Sequence, residues 1–161
     1  MLTPSSYIVQ AVIGSNQTIP TSTDTEVQFN TADFDTQGWL NTSTYRIIPN
    51  IAGYYEITAS VDLPGRTDIN TNQTNLQLRK NGNSFSITQQ PANTSTNVTL
   101  QATRSVFLNG STDYITVTVW QGSGNNITIG TGNQAWVTVT LMTTGNGYVG
   151  STGFIGSTGF T

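Results

Sequence analysis

The 161-residue sequence contains no cysteine and no histidine. Disulfide bonds and zinc sites built from cysteine and histidine are therefore excluded. The pairs of serine or cysteine with histidine that hydrolases use are excluded as well, because no imidazole is present to act as the base. We therefore expect no enzyme activity, no catalytic residues and no cofactor.

Charge is also scarce. Five Lys/Arg and eight Asp/Glu residues make up 8% of the chain, and the formal net charge is −3, whereas average proteins have about 25% charged residues. The basic residues are mostly scattered and form no basic stripe, so we expect no nucleic-acid binding. The chain has no apolar run of about 18 residues, which argues against membrane insertion. Its first residues, "MLTPSSYIVQAVIG", lack the basic segment and long apolar core of a secretory signal peptide.

The acidic residues offer one candidate metal site. Asp33 and Asp35 share one side of "TADFDTQG" if that stretch is extended, and Asp24 and Glu26 lie nearby in sequence. Together they could supply oxygen ligands for calcium. The alternative is a solvated acidic loop, which we favour, and we assign no metal ligand.

The polarity of the chain comes from uncharged residues. Threonine alone contributes thirty residues, glycine contributes 16, and hydrophobic residues make up 35%. Threonine suits strands because its β-branched side chain packs well on a pleated surface, and asparagine and glycine suit turns. The composition therefore predicts an all-β protein.

Three segments alternate apolar and polar residues with the period of a β-strand: "GYYEITASVDLPG", "DYITVTVW" and "QAWVTVTLM". In "NVTLQATRSVFL" the same alternation would place Arg104 in the core, so we expect a bulge that instead returns Phe107 or Leu108 to the core. "RKNGNS" carries an Asn-Gly pair typical of a hairpin turn. About eight to ten short strands are indicated, which predicts a two-sheet sandwich, with the Gly/Asn-rich stretch 121–133 as a loop.

Four segments, in order from Val27 to Met142, resemble motifs of the C1q/TNF-like jelly-roll family. They are "VQFN", "PNIAGYYEIT", "LQLRKNGNS" and "VFLNGSTDYITVTV". The last departs from the family's Leu-x-x-Gly-Asp pattern, because two extra residues separate Gly110 from Asp113. The resemblance implies a two-sheet jelly-roll sandwich that forms a homotrimer, with inner sheets packed around a threefold axis.

The strand patterns favour such an interface independently. Tyr54, Trp136 and Met142 lie on the strand faces opposite the aliphatic residues. A sheet that is apolar on both faces is expected to bury one face within the protomer and the other between protomers. We therefore predict that these three residues lie in the trimer interface. The alternative is that each is a single exposed aromatic or apolar residue of a sandwich surface.

The chain ends in "GYVGSTGFIGSTGFT", with glycine at every third position: Gly147, Gly150, Gly153, Gly156 and Gly159. Gly-X-Y triplets are the collagen signature, because only glycine fits at the axis of three chains. A left-handed β-helix hexapeptide and a Gly/Ser/Thr linker are the alternatives. We predict a jelly-roll head over residues 1–143 and a short collagen-like tail over residues 144–161.

The Pro-free triplets with Ser, Thr and aromatic residues resemble the collagen-like runs in structural proteins of tailed phages and large viruses, and this resemblance implies a non-enzymatic virion structural protein. It would be the trimeric head of a fibre, spike or capsid decoration, and its trimer would set the register of a collagen-like shaft. The expected partners are its own copies, other virion proteins, and a host-surface receptor or glycan, and the expected location is the virion or an extracellular surface. The alternative function is a C1q-like module that binds carbohydrate or protein. Trp120, which ends a strand beside the 121–133 loop, is the candidate surface contact.

Overall fold

The structure is a computed structural model that describes residues 7–65, 73–91 and 96–144. These ranges contain thirteen strands. In order they are β1 (Ile8–Ile13), β2 (Gln17–Ile19), β3 (Thr25–Glu26), β4 (Thr31–Asp35), β5 (Leu40–Asn41), β6 (Arg46–Ile47), β7 (Gly53–Leu63), β8 (Thr74–Lys80), β9 (Asn83–Gln90), β10 (Val98–Leu108), β11 (Ile115–Gln121), β12 (Ile127–Ile129) and β13 (Gly132–Thr144). Over these ranges we find no helix of the length and apolarity that crossing a membrane requires. The predicted tail glycines lie outside the described residues.

The strands form two packed sheets and a short ribbon. The five-stranded sheet has the order β10-β7-β13-β1-β4. The six-stranded sheet has the order β5-β6-β11-β8-β9, with β3 paired to β11, and β12 pairs with β2 in the ribbon. All of these pairings are antiparallel. The predicted all-β, two-sheet sandwich is confirmed.

The core lies between the two sheets and follows the alternation of the sequence. In β7, Tyr55, Ile57, Ala59, Val61 and Leu63 are all fully buried, and the residues between them face away from the core. β11 and β13 contribute in the same way: Ile115, Val117 and Val119 from β11, and Ala135, Val137 and Val139 from β13. Each central strand thus buries one face, as period-two patterning requires.

Three details of the sequence prediction were wrong. No bulge occurs in β10, whose register with β7 is continuous from Val98 to Leu108, so the core receives Leu108 while Phe107 remains exposed. Arg104 keeps the core-side register, yet it is exposed, because β10 is the edge strand of its sheet. The stretch 121–133 also contains strand β12, and the strands number thirteen because several have only two or three residues.

The two ends of the sandwich differ in what they carry. We call the end where β1 and β7 begin and β10 and β13 finish the base end; Ile8 pairs with Thr140 there, and Thr144 with Gly53. The opposite end, where β11 finishes at Gln121 beside Thr74, is the distal end. The two-residue turn Asn81–Gly82, which joins β8 to β9, lies at the base end. Both residues have positive φ (52° and 80°), as the predicted Asn-Gly hairpin turn requires.

Candidate interface and binding surfaces

The outer face of the five-stranded sheet, meaning the face turned away from the core, is rich in exposed apolar residues. The side chains of Phe34, Tyr54, Phe107 and Met142 are 42%, 52%, 39% and 58% exposed. Tyr54 and Phe107 are direct cross-strand neighbours whose rings make an edge-to-face contact at 5.4 Å. Met142 lies at the register shift of β13, and its sulfur accepts a hydrogen bond from Ser105 Oγ at 3.6 Å. Tyr54, Phe107 and Met142 therefore form an exposed apolar cluster at the base end of this face, whereas Phe34 lies apart from them on edge strand β4, where it pairs with Gln10.

The predicted interface residues share this face without forming one cluster. Trp136 is half-buried and pairs with Ser60, six positions along β7 from Tyr54. At the rise of an antiparallel strand this separation is about 20 Å. The surface between is polar: Thr58 and Thr103 hydroxyls lie 3.1 Å apart, and Thr138 Oγ1 donates to Gln10 Oε1 at 3.3 Å. The face therefore combines apolar ends with a hydrogen-bonding middle.

The outer face of the six-stranded sheet is covered by its own long polar side chains. Gln77 Nε2 donates to Asp24 Oδ1 at 3.3 Å, and Arg79 Nη2 donates to Asp24 Oδ2 at 2.6 Å and to Gln77 Oε1 at 2.8 Å. Gln77 and Arg79 pair with Thr118 and Thr116 of β11. Those threonines are only 4% and 3% exposed. Thr116 and Thr118 are thus shielded from solvent by the long side chains of the neighbouring strand, and within the described ranges no further layer packs on them.

Charged groups at the edge of this network influence one another. Burial raises the pKa of Glu26, while the positive charges of Arg46 and Arg79 act in the opposite direction. The Arg46 guanidinium also lies 4.1 Å from the centre of the Tyr114 ring, a distance suited to a cation–π contact.

The acidic residues considered as a candidate calcium site interact with different partners. Asp24 pairs with Arg79, and Asp33 Oδ2 accepts a hydrogen bond from Gln10 Nε2 at 2.9 Å. Asp35 instead shapes its own loop, accepting from the backbone N–H groups of Trp39 and Leu40 at 2.9 and 2.8 Å. Within residues 7–65, 73–91 and 96–144 no three acidic residues assemble as a metal site.

At the base end, two of the motifs that carry the family resemblance meet around Asp113. Its carboxylate is buried and pairs with Lys80 Nζ at 2.8 Å. It also accepts from Asn81 Nδ2 at 2.7 Å and from the Asn109 backbone N–H at 2.9 Å. Burial would by itself raise the pKa of Asp113, but the hydrogen bonds from Lys80, Asn81 and Asn109 and the Lys80 charge outweigh it and lower that pKa. In the sequence, Asp113 stood out only because its spacing from Gly110 departs from the family motif. In the structure, Asp113 is the residue that Lys80, Asn81 and Asn109 all contact.

A third motif packs against the same place. Gly110 has φ +70°, and a Cβ there would overlap the backbone of Ile51 and Ala52 in "PNIAGYYEIT". The Tyr55 hydroxyl donates to the Ile51 carbonyl at 2.6 Å, and the Tyr55 ring contacts buried Trp39 edge-on at 5.5 Å. The loop that contains Gly110 therefore packs on the backbone of Ile51 and Ala52, and the side chain of Tyr55 in β7 holds the same segment through its hydrogen bond to Ile51.

Trp120, the predicted surface contact, is the last residue but one of β11 and lies at the distal end on the outer face of the six-stranded sheet. It is half-buried and pairs with Asn75, which in turn pairs with Gln89. Beside this row is a pocket of about 190 Å³ lined by Gln73, Gln89, Gln90 and Pro91. The sequence prediction missed the three glutamines.

Comparison with solved structures identifies the architecture. The globular domain of zebrafish complement 1qA superimposes with a TM-score of 0.63 at 14% identity, covering 86% of this chain and 98% of that one. The fold is a C1q/TNF-like jelly roll. Eiger TNF from S. frugiperda gives a TM-score of 0.66 at 6% identity over 87% of this chain and 94% of the other. Murine APRIL gives 0.64 at 12% identity over 85% and 99%.

Sequence comparison adds nothing to this structural likeness. No protein-family model matches the chain, and no curated protein matches it in sequence. At these identities the likeness to the solved structures concerns the fold, so the function of the C1q/TNF-like domain must be argued from its surfaces.

Proposed function

We propose that the protein is a non-enzymatic structural head that forms a homotrimer through the outer face of its five-stranded sheet. The trimer would serve as the head of a virion fibre, spike or capsid decoration and would set the register of a collagen-like shaft. The C1q/TNF-like fold supports self-association, because the resemblance of the four sequence motifs to that family implies a homotrimer.

The observation that carries this proposal is the asymmetry of the exposed apolar residues. Among the described residues five large apolar side chains are exposed, and four of them lie on the outer face of the five-stranded sheet: Phe34, Tyr54, Phe107 and Met142. Tyr54, Phe107 and Met142 are contiguous at the base end, and contiguous exposed apolar surface is characteristic of protein–protein contacts. Burying one such side chain contributes about 1.5–3 kcal/mol, so three copies of this surface could offset much of the cost of association.

The fibre assignment is supported by sequence and by chain geometry together. The Gly-X-Y run follows Thr144, the last residue of β13, and Thr144 lies at the base end beside Gly53. Three heads packed side by side would present three such segments together, at the high effective concentration that a short Pro-free triple helix needs. Prior trimerisation by the head is therefore the expected order of assembly.

The non-enzymatic assignment is supported by how the acidic residues are used. The carboxylates of Asp24 and Asp113 are paired with cations, and those of Asp33, Asp35 and Asp62 accept hydrogen bonds from neighbouring groups. A pair of free carboxylates facing one cleft, as hydrolysis of a glycosidic bond requires, is not found among the described residues.

Native mass spectrometry tests the proposal. We expect the mass of three 17.3-kDa chains, both for the full chain and after removal of residues 147–161. Met142→Glu should weaken assembly by about 100-fold or more, because a carboxylate buried in an apolar interface loses its hydration.

The matched control is Ile87→Glu. Ile87 is 56% exposed, almost the same as Met142, but it lies on the six-stranded sheet, so this variant should remain trimeric. A monomeric wild-type protein at micromolar concentration would refute the proposal. So would equal dissociation by the two substitutions.

A further inference from the structure

The distal pocket has a lining of an unusual kind. Its described lining consists of Gln73, Gln89, Gln90 and Pro91, so the side-chain polar groups of the described lining are all primary amides and none of them is ionisable. The side-chain amides of these three glutamines make no hydrogen bond to any described residue, although buried Gln17 and Gln121 in the same protein are fully engaged. The pocket therefore presents several donors and acceptors that are available to a ligand.

Trp120 extends this surface from one strand to the next. The pairing of Trp120 with Asn75 and of Asn75 with Gln89 places the three side chains in one row on the same sheet face. The indole N–H of Trp120 also makes no hydrogen bond to a described residue, and its ring is only partly covered. An apolar ring face thus lies in the same row as a glutamine of the pocket.

We propose that this pocket and Trp120 form a binding site for a neutral saccharide. A pyranose carries hydroxyl groups that both donate and accept, which primary amides match, and it has an apolar C–H face that can lie on an indole ring. The volume of about 190 Å³ suits one sugar ring and is below the roughly 300–1,000 Å³ of sites for larger ligands. The described part of the lining carries no charge and so gives no counterion for an acidic sugar.

The position of the site agrees with the role of a head. β13 ends at the base end, and Trp120 and the pocket lie at the distal end, away from the point where the Gly-X-Y segment follows. In a trimer the site would be present three times, so weak single sites could act together on a surface that carries many glycans. Trp120, the three glutamines and Pro91 all belong to one chain. Only the site's use in surface attachment rests on the proposed function.

Saturation-transfer NMR on the full chain tests the site. The probes are the methyl glycosides of glucose, galactose and mannose, with 3′-sialyllactose as the acidic comparison. We expect saturation transfer to at least one neutral glycoside and weaker transfer to the sialic acid residue. Trp120→Ala and Gln89→Ala should each weaken binding by about fivefold to tenfold. Trp120→Phe keeps an aromatic ring and should retain most of the binding, which guards against loss of fold as the cause.

The matched control is Ile87→Ala, on the same strand and the same face as Gln89 but outside the pocket lining; it should leave binding unchanged. The inference is overturned if no neutral glycoside shows transfer, if Trp120→Ala binds like wild type, or if the acidic sugar binds best. Native mass spectrometry of the same samples separates the two proposals. A trimer without sugar binding overturns only this site, and a sugar-binding monomer overturns only the trimer.

Discussion

Gly110→Ala should be among the most destabilising single-methyl changes in this protein. Two costs add at this position. Gly110 has φ +70°, and an L-residue held in the left-handed region costs about 1–2 kcal/mol. The added Cβ would also overlap backbone atoms of Ile51 and Ala52, which have no flexible side-chain end that could move aside. Overpacking of this kind costs about 1–3 kcal/mol. The expected loss is therefore roughly 2–5 kcal/mol.

Gly132→Ala separates these two costs. Gly132 has φ +72°, nearly the same as Gly110, but a Cβ there meets nothing within 4 Å. This variant should therefore show the backbone cost alone, about 1–2 kcal/mol. The difference between the two variants then measures the contact between Gly110 and the Ile51–Ala52 backbone.

Thermal unfolding followed by circular dichroism is the assay, at one fixed protomer concentration because oligomerisation shifts the midpoint. For a chain of this size each kcal/mol lowers the midpoint by about 2–4 °C, so Gly110→Ala should melt about 4–20 °C below wild type. Gly132→Ala should lose about 2–8 °C. Equal midpoints for the two variants would refute the close approach of Gly110 to the preceding loop.

Two further predictions concern the base end. Asp113→Asn should cost about 1.5–3 kcal/mol at pH 7 in urea unfolding, because the pairing with Lys80 is lost. The pKa of Asp113 is lowered in the folded state, so its contribution to the free energy of unfolding is present above the carboxyl's ordinary pKa of 3.8 and is lost as the pH falls. A stability difference between wild type and Asp113→Asn that does not narrow as the pH falls below 3.8 contradicts the assignment. Tyr55→Phe should cost about 1–2 kcal/mol, because the Ile51 carbonyl loses its donor. Burial raises the pKa of Tyr55 from 10.0 to about 12, so the stability that neutral Tyr55 contributes is complete below pH 10 and declines as the pH rises towards 12; spectrophotometric titration should show one late-ionising tyrosine in wild type that the variant lacks.

The core could be predicted from the sequence because the long central strands β7, β11 and β13 turn alternate, mostly apolar residues towards the core. In β7, Tyr55, Ile57 and every second residue after them face the core, whereas Tyr54 and Glu56 face away from it. The same rule fails where burial is not the only influence. Arg104 keeps its place in the alternation, yet it reaches solvent because β10 has no neighbour on one side. Edge position is a property of the whole sheet, which no local pattern reveals.

Strand β12 was missed for a different reason. β12 has only three residues, too few for a periodic signal, although the alternation of Ile127 and Ile129 around Thr128 hints at it. Its partner β2 lies more than a hundred residues earlier in the chain. The ribbon therefore depends on a pairing between segments that are distant in the chain, which no local pattern reveals.

The candidate sites divide in the same way. Trp120 could be found from sequence because a tryptophan at a strand end next to a Gly/Asn-rich stretch is conspicuous. Gln73, Gln89 and Gln90 could not, because uncharged polar residues are common throughout this chain and nothing local distinguishes these three. Strand pairing alone places Gln89 in the same row as Trp120. Likewise, Asp113 became informative only when the structure placed Lys80, Asn81 and Asn109 around it.

Three of the four family-like motifs meet at one end of the molecule, and this explains what the resemblance could and could not predict. Gly110 contacts Ile51 and Ala52, and Asp113 contacts Lys80 and Asn81, so these motifs describe how loops and strands close the base end. Closing the base end fixes the fold and the place where β13 finishes, but it imposes nothing on the distal end. Residues there can change without disturbing these contacts, so the base-end motifs carry no information about what the distal surface binds.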